Sequence, residues 1–300
     1  MGVHVLDVLV RPVERIPEGQ GGELVEQIRI TAAGSAGGAA LVLSKLGAEV
    51  LSAGAIGSDA AGQMLVSLLE RDGVDTSLLV RRGDVQTSCS VLPIRPNGER
   101  PALHVVGANG TYGLDDVPWD AIASATHLHL GGPEFLGGEV AGQILAHARR
   151  HGVCTSADVL APGDPGLLEW IAGALPELDY LLPNEEQVLG FTGADDLVSG
   201  CRALVERGVG CVAATRGAEG AVVVDAEGEL SVPAFESEVV DTTGCGDAFS
   251  AGFLCALAGG RSRRDAALIG CATAAQVAQG LGTDHGSYDL ATVEELAASG

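Results

Sequence analysis

Between Val239 and Phe253 the chain reads VVDTTGCGDAFSAGF, a strand-like start that runs into a turn of small residues and then a helical pattern. Gly244, Cys245 and Gly246 would set three backbone N–H groups at the start of that helix, ahead of any carbonyl that could receive them. Free amides and the helix dipole together hold an anion without help from lysine. Asp247 falls in the first turn, beside that anion, where a carboxylate can take a proton from an attacking hydroxyl. An Asp near a helix N-terminus is also an ordinary capping residue, so spacing alone leaves both roles open.

Composition narrows what the anion could be. Seventeen basic side chains stand against 40 acidic ones, a formal charge of −23, which repels nucleic acid and anionic lipid and argues against both as partners. An anionic ligand must then be held by local devices such as metal ions and backbone amides. Lys45 is the only lysine and follows Ser44, so the G-x-x-x-x-G-K-[ST] phosphate loop is absent. The seven cysteines (Cys89, Cys154, Cys201, Cys211, Cys245, Cys255, Cys271) form no C-x-x-C and mostly lie in apolar runs, as buried thiols of a reducing compartment do. The chain starts without the long apolar core of a signal peptide, and no uninterrupted apolar run reaches the ~18 residues of a membrane span. A cytoplasmic protein is expected.

The elements that must position the turn follow from periodicity. Val3 to Val10 reads as a buried strand and Leu24 to Thr31 as a second, after which AAGSAGGAALVLSKLG puts glycines ahead of a helix that Gly47 stops. AEVLSAGAIG predicts a strand, and Ser58 or Asp59 can cap a helix through Arg71. Cys89 to Ile94 and Leu103 to Val106 read as partner strands with a turn at Asn97-Gly98. From Thr126 onward short apolar runs alternate with helices: THLHL, Glu139 to His151, VCTSAD, Leu167 to Ala174, DYLLP, Leu197 to Arg207, CVAAT and GAVVVD. Two helices, Gly246 to Ala258 and Arg264 to Gln279, complete the pattern. This alternation is the mark of a parallel sheet covered on both faces. One α/β domain over residues 1–300 is expected, with a small β excursion from about 9–31 and 87–108.

D-T-T-G-C-G-D-A-F closely resembles the C-terminal signature of the ribokinase/PfkB family of carbohydrate kinases, usually written D-T-x-G-A-G-D. Other segments resemble family motifs in the right order across nearly the whole chain: GSAGGAA at Gly34 to Ala40, the stretch from Gly54 to Ser77, VVGANG around Asn109, LLPNEEQVLGFTG from Leu181, and TRGAEGAVV from Thr215. The resemblance implies a ribokinase-like fold, a Rossmann-like three-layer α/β core with a small β-sheet lid. It implies ATP along the C-terminal half, at Asn184, Thr215, Gly217, Gly220, Thr243, Gly244 and Gly246, and a phosphate acceptor between lid and core. Asp247 would deprotonate the acceptor hydroxyl while the Gly244 to Gly246 amides stabilise the transferring phosphoryl group. Asp7, at the end of the first strand, would hold acceptor hydroxyls together with Gly34, Ser35, Gly37, Gly38 and Asn109. Magnesium is expected. By the same resemblance potassium would lie near Asp241 and the Gly282 to Ser287 loop, with Ser287 as a ligand.

Three departures bear on these expectations. Family members commonly carry N-x-x-E where this chain has Asn184-Glu185-Glu186-Gln187, so Gln187 stands at the metal-organising glutamate. Either magnesium binds more weakly or Glu186 substitutes, and a capped helix start would explain all four residues without a metal. The N-terminal glycine motif usually ends in an acceptor-binding asparagine; here Gly38 takes its place, and LHLGG offers only glycine where some sugar kinases have a carboxylate. Both losses leave room for an acceptor larger than a bare pentose, or point to one gripped elsewhere. Cys245 replaces a common alanine and is read as a small filler whose amide matters. His127 and His129 share a strand face without a third ligand nearby, which favours packing over metal binding. The expected activity is ATP-dependent phosphorylation of a sugar-like hydroxyl, with a nucleoside kinase or a non-catalytic sugar or nucleotide sensor as alternatives. A homodimer through the lid would cover its strand edges.

Overall fold

The computed structural model describes residues 1–96 and 99–299. It begins with β1 (Val5–Arg11) and β2 (Gln27–Ala33), continues through α1 (Ser35–Lys45), β3 (Leu51–Gly57), α2 (Ala60–Arg71) and β4 (Asp75–Arg82), and forms the short strands β5 (Cys89–Pro93) and β6 (Leu103–Val105). Next come α3 (Trp119–Ser124), β7 (His127–Gly131), α4 (Gly137–Arg150), β8 (Cys154–Asp158), α5 (Pro165–Trp170), β9 (Tyr180–Leu181), α6 (Glu185–Thr192) and α7 (Leu197–Glu206). The C-terminal part holds β10 (Cys211–Thr215), β11 (Ala221–Asp225), β12 (Glu229–Val232), α8 (Cys245–Ala258), α9 (Arg263–Val277) and α10 (Leu290–Ala298).

The largest sheet runs in the order β12-β11-β10-β9-β8-β7. β7 to β10 are mutually parallel, as the strand–helix alternation predicts. β11 and β12 are antiparallel additions, because short hairpins rather than helices connect them. Neighbouring residues of these strands bury on opposite sides: Val212, Ala214, Val222 and Val224 pack with α4 to α7, while Ala213 and Val223 pack with α1, α8, α9 and α10. A sheet apolar on both faces needs helices on both, which gives three layers.

The predicted strand Val3 to Val10 divides its work between two sheets. Gly2 N–H donates to Ala53 O (2.8 Å), while Val3 N–H donates to Gly131 O (3.0 Å) and Gly131 N–H to Met1 O (2.9 Å). Residues 1–3 therefore sit between β7 and the parallel pair β3–β4 and join them. From Val5 the chain enters a second sheet of order β2-β1-β5-β6. This places Asp7 third in a seven-residue strand, not at the strand's end as expected. The predicted Asn97-Gly98 turn lies outside the described residues, but the antiparallel pairing of β5 and β6 on either side of it is present.

Register decides what the small sheet presents. Thr31, Asp7, Ser90 and His104 are cross-strand partners in one row, and Ile30, Val8, Val91 and Leu103 form the next. Direct partners share a face and adjacent rows point oppositely. The first row turns Thr31, Asp7 and Ser90 into the molecule; the second leaves Ile30, Val91 and Leu103 exposed. All seven cysteines are free thiols. Among the described residues no helix is long and apolar enough to cross a membrane.

Candidate active site

The turn before α8 is built on Gly244, which adopts the left-handed conformation (φ 80°, ψ 0°) as N-cap. A side chain there would be strained and would also overlap Thr283, so both backbone and space call for glycine. Of the three amides expected to be free, that of Cys245 is engaged, donating to Thr242 O at 3.2 Å. Among the described residues the N–H groups of Gly244, Gly246 and Asp247 carry no partner, so the set of free amides differs from the expected one. The Cys245 thiol points inward to Ala274 O (3.7 Å), and burial pushes it up to about 12, the opposite of a helix-activated thiolate.

Asp241 braces this turn from below. One carboxylate oxygen accepts from Thr243 N–H (3.0 Å) and Thr243 Oγ1 (2.8 Å), and the other accepts from Gly282 N–H (3.2 Å). Arg100, which reaches across from the small sheet, donates to Thr243 Oγ1 at 3.2 Å.

Asp247 is half-buried in the first turn of α8. Burial raises its carboxyl well above the usual range, the nearby charges of Asp158 and Asp7 raise it further, and Arg100 opposes them. Asp7 is pushed up to about 6, again chiefly by burial, with the Ser90 hydrogen bond and Arg100 pulling it down and Asp241 pushing it up. Asp7, Asp158, Asp241, Asp247 and Arg100 therefore lie close enough to act on one another's charge. Asp158 and Arg100 escaped the sequence reading. Asp158 was within reach of it, since the carboxyl ends of parallel strands are where α/β sheets bind ligands and Asp158 ends β8. Its Oδ1 is buried without a hydrogen-bond partner among the described residues, and its Oδ2 lies 3.5 Å from His129 Nε2. His127 and His129 both meet the Ser156 hydroxyl at 2.9 Å.

The glycine-rich start of α1 makes room for a side chain of α8. A Cβ at Gly38 would overlap the Asp247 carboxylate, so glycine there lets α8 approach. Gly131, in LHLGG, touches the backbone of Ser35 and Ala36 in the same way. The room inferred from both glycines is thus already filled by the protein. Gly34 (φ 83°) caps α1 against Val3 and Val5, and Gly37 lies on His4. Ser35 Oγ is buried without a partner among the described residues. The Asn109 amide is engaged with the backbone of His4: it donates to His4 O (2.9 Å) and accepts from His4 N–H (3.1 Å), which ties the segment before α3 to the first strand.

Asn184 and Gln187 form a capping box on α6, with Asn184 Oδ1 accepting from Gln187 N–H (2.8 Å) and Gln187 Oε1 from Asn184 N–H (2.9 Å). Gln187 Nε2 donates to Val159 O (2.7 Å) and Ala161 O (3.0 Å). The buried amide clamps the loop after Asp158, which corrects the expectation that it faces a metal. Glu186 is exposed beside it. Asn184 bridges to Thr215 at the end of β10, and Gly217 (φ 55°) and Gly220 (φ 89°) shape the turn that follows. Ser287, expected to bind potassium, is exposed.

A three-layer α/β core joined to a small second sheet, with a carboxylate in the first turn of α8, is the ribokinase-like architecture. Arabidopsis thaliana ribokinase, solved with ribose and ATP, superposes with a TM-score of 0.84 at 22% identity, covering 99% of this chain and 96% of that one. The chain belongs to the pfkB family of carbohydrate kinases, whose model matches residues 4–289. An uncharacterized sugar kinase of Archaeoglobus fulgidus is 27% identical over 81% of this chain and 97% of its own length. The ATP-dependent ribose-1-phosphate kinase of Halopiger xanaduensis is 31% identical over 83% of this chain and 80% of its own.

Proposed function

We propose that this kinase transfers the γ-phosphoryl group of ATP to a hydroxyl of a sugar or sugar-derived molecule, with Asp247 as general base. The observation that carries the reading is Asp247 itself, a carboxylate whose basicity is raised by burial, beside three unpartnered amides. The acceptor hydroxyl lies between Asp7 and Asp247, and Asp247 takes its proton as the bond to phosphorus forms. The N–H groups of Gly244, Gly246 and Asp247 receive the charged oxygens of the transferring group, and Arg100 adds the positive charge that the acidic cleft lacks. The nucleotide extends over Thr243 toward Asn184, Thr215, Gly217 and Gly220.

Magnesium would supply positive charge to offset the negative charge of the phosphate oxygens. The residues fit it: the unpartnered Asp158 Oδ1 and exposed Glu186 would hold the ion or its water. Among the described residues no three His, Cys, Asp or Glu side chains converge as a metal cage.

Arg100 favours a second, narrower reading, in which the acceptor carries an anionic group of its own; the Halopiger relative is named for such a substrate. ADP release measured over neutral pentoses, sugar phosphates and nucleosides separates these acceptors. On the best of them Asp247→Asn should retain folding and ATP binding while kcat falls by on the order of 10² to 10⁴. Cys245→Ala, which keeps the backbone, should remain active. Turnover by the asparagine variant at near wild-type rate would remove Asp247 as the base.

A further inference from the structure

The loop expected to hold potassium already surrounds a positive charge of the protein's own. Both oxygens of Asp241 already accept from Thr243 and Gly282, and Ser287 faces solvent. The carbonyls of the same loop converge instead on the ammonium of Lys45, which extends from the last turn of α1 and is half-buried. Lys45 Nζ donates to Asp284 O at 2.6 Å and Gly286 O at 2.9 Å, with His285 O at 3.4 Å, and it lies 5.3 Å from the centroid of the Tyr288 ring. Carbonyl oxygens and an aromatic face around one positive charge are the surroundings of a bound cation.

That loop is tied to the catalytic turn and to the lid. Gly282 N–H holds Asp241, and Thr283 fills the space over Gly244. The Asp284 carboxylate, nearly fully buried, meets Arg29 (3.0 Å) and Thr31 Oγ1 (2.8 Å) of β2 and Arg71 (3.0 Å) of α2. A shift at residues 284–286 would therefore move Asp241, and with it the amides of Gly244 and Gly246.

We propose that the ammonium of Lys45 is a built-in monovalent cation: it fixes the 282–286 loop, and through Asp241 the anion-receiving turn, so that the protein works without potassium. Lys45 is a positioning residue, and its link to turnover rests on the reading of that turn as the phosphate site. A tethered charge fills its site without a separate binding step, which frees the loop from the surrounding salt.

The test begins with the wild-type protein in potassium, sodium or choline chloride at equal ionic strength. ADP release and melting temperature should agree among the three salts, rates within about twofold. In Lys45→Met, backbone amides of residues 282–286 should lose hydrogen-exchange protection and kcat should fall on the order of 10- to 100-fold, as when a supporting group beside a bound ion is removed. Potassium or ammonium, but not choline, should restore part of both. Activation or thermal stabilisation of the wild type by potassium over choline would overturn the proposal without use of any variant. So would unchanged exchange in a folded Lys45→Met. The exchange and melting readouts need no turnover, so a wild type that phosphorylates no acceptor would refute the kinase reading separately.

Discussion

Asp7 shows what a buried carboxylate costs. Its ordinary value of 3.8 is pushed up to about 6, so between those values the folded protein holds a proton that the unfolded chain has released. Its contribution to stability is greatest below pH 3.8 and is lost as pH rises through 6. At pH 7 the buried charge costs on the order of 2–3 kcal/mol. Asp7→Asn should therefore be more stable than the wild type at pH 7.5, by on the order of 2 kcal/mol in urea unfolding, and about equal to it near pH 4. His4 and His127, both lowered to about 4 chiefly by burial, lose stability on acidification over the same range, but they do so in both proteins and cancel in the difference. The same variant should raise the acceptor KM, because the hydroxyl loses its charged partner. A destabilised Asp7→Asn at pH 7.5 would show that its neighbours already compensate the charge. Glycine is the residue the sequence explains least well by absence: Gly38 looks like a missing asparagine until the structure puts Asp247 against it.

At the scale of elements, what is local was legible. Helices α1, α2, α7 and α8 begin and end within a residue or two of where caps, glycines and apolar periodicity put them, because those signals act over a single turn. The division of residues 1–11 between two sheets was not legible, since it depends on backbone partners at Ala53 and Gly131 that no local pattern encodes. The candidate base could be read from one segment, whereas the groups that tune it, Asp158 and Arg100, arrive from β8 and from the strand-linking segment before β6. Gln187 illustrates the difference. Its position suggests a metal site, but its amide ties α6 to the loop behind β8, where two carbonyls require a donor. Gln187→Glu would set a carboxylate against those carbonyls and should destabilise the protein by about 1–3 kcal/mol in urea, without tightening its magnesium requirement. A glutamate variant of undiminished stability with a lower magnesium midpoint would return the side chain to the metal.

For the molecule as a whole, the outer face of the lid is the surface with the least reason to meet water. Ile30, Val91 and Leu103 are 39%, 41% and 65% exposed, lie in one cross-strand row with Val8, and are flanked by Ile28 and Val105. Monomers rarely display a contiguous apolar patch of this kind, and β2 and β6 add two open strand edges. The occupant we propose is a second copy of the chain, which offers the same apolar row under two-fold symmetry. The net charge of −23 on each copy opposes that pairing, so association should strengthen as salt screens it, the reverse of an interface held by ion pairs. Light scattering should give twice the chain mass at moderate salt, with dissociation on dilution at low ionic strength. Ile30→Asp should yield a folded monomer, since the side chain points away from the row that carries Asp7. With the acceptor bound beside Asp7 as proposed, a free lid should show itself as a raised acceptor KM more than a lowered kcat. A wild type that stays monomeric at every salt and protein concentration would leave the apolar row without this partner.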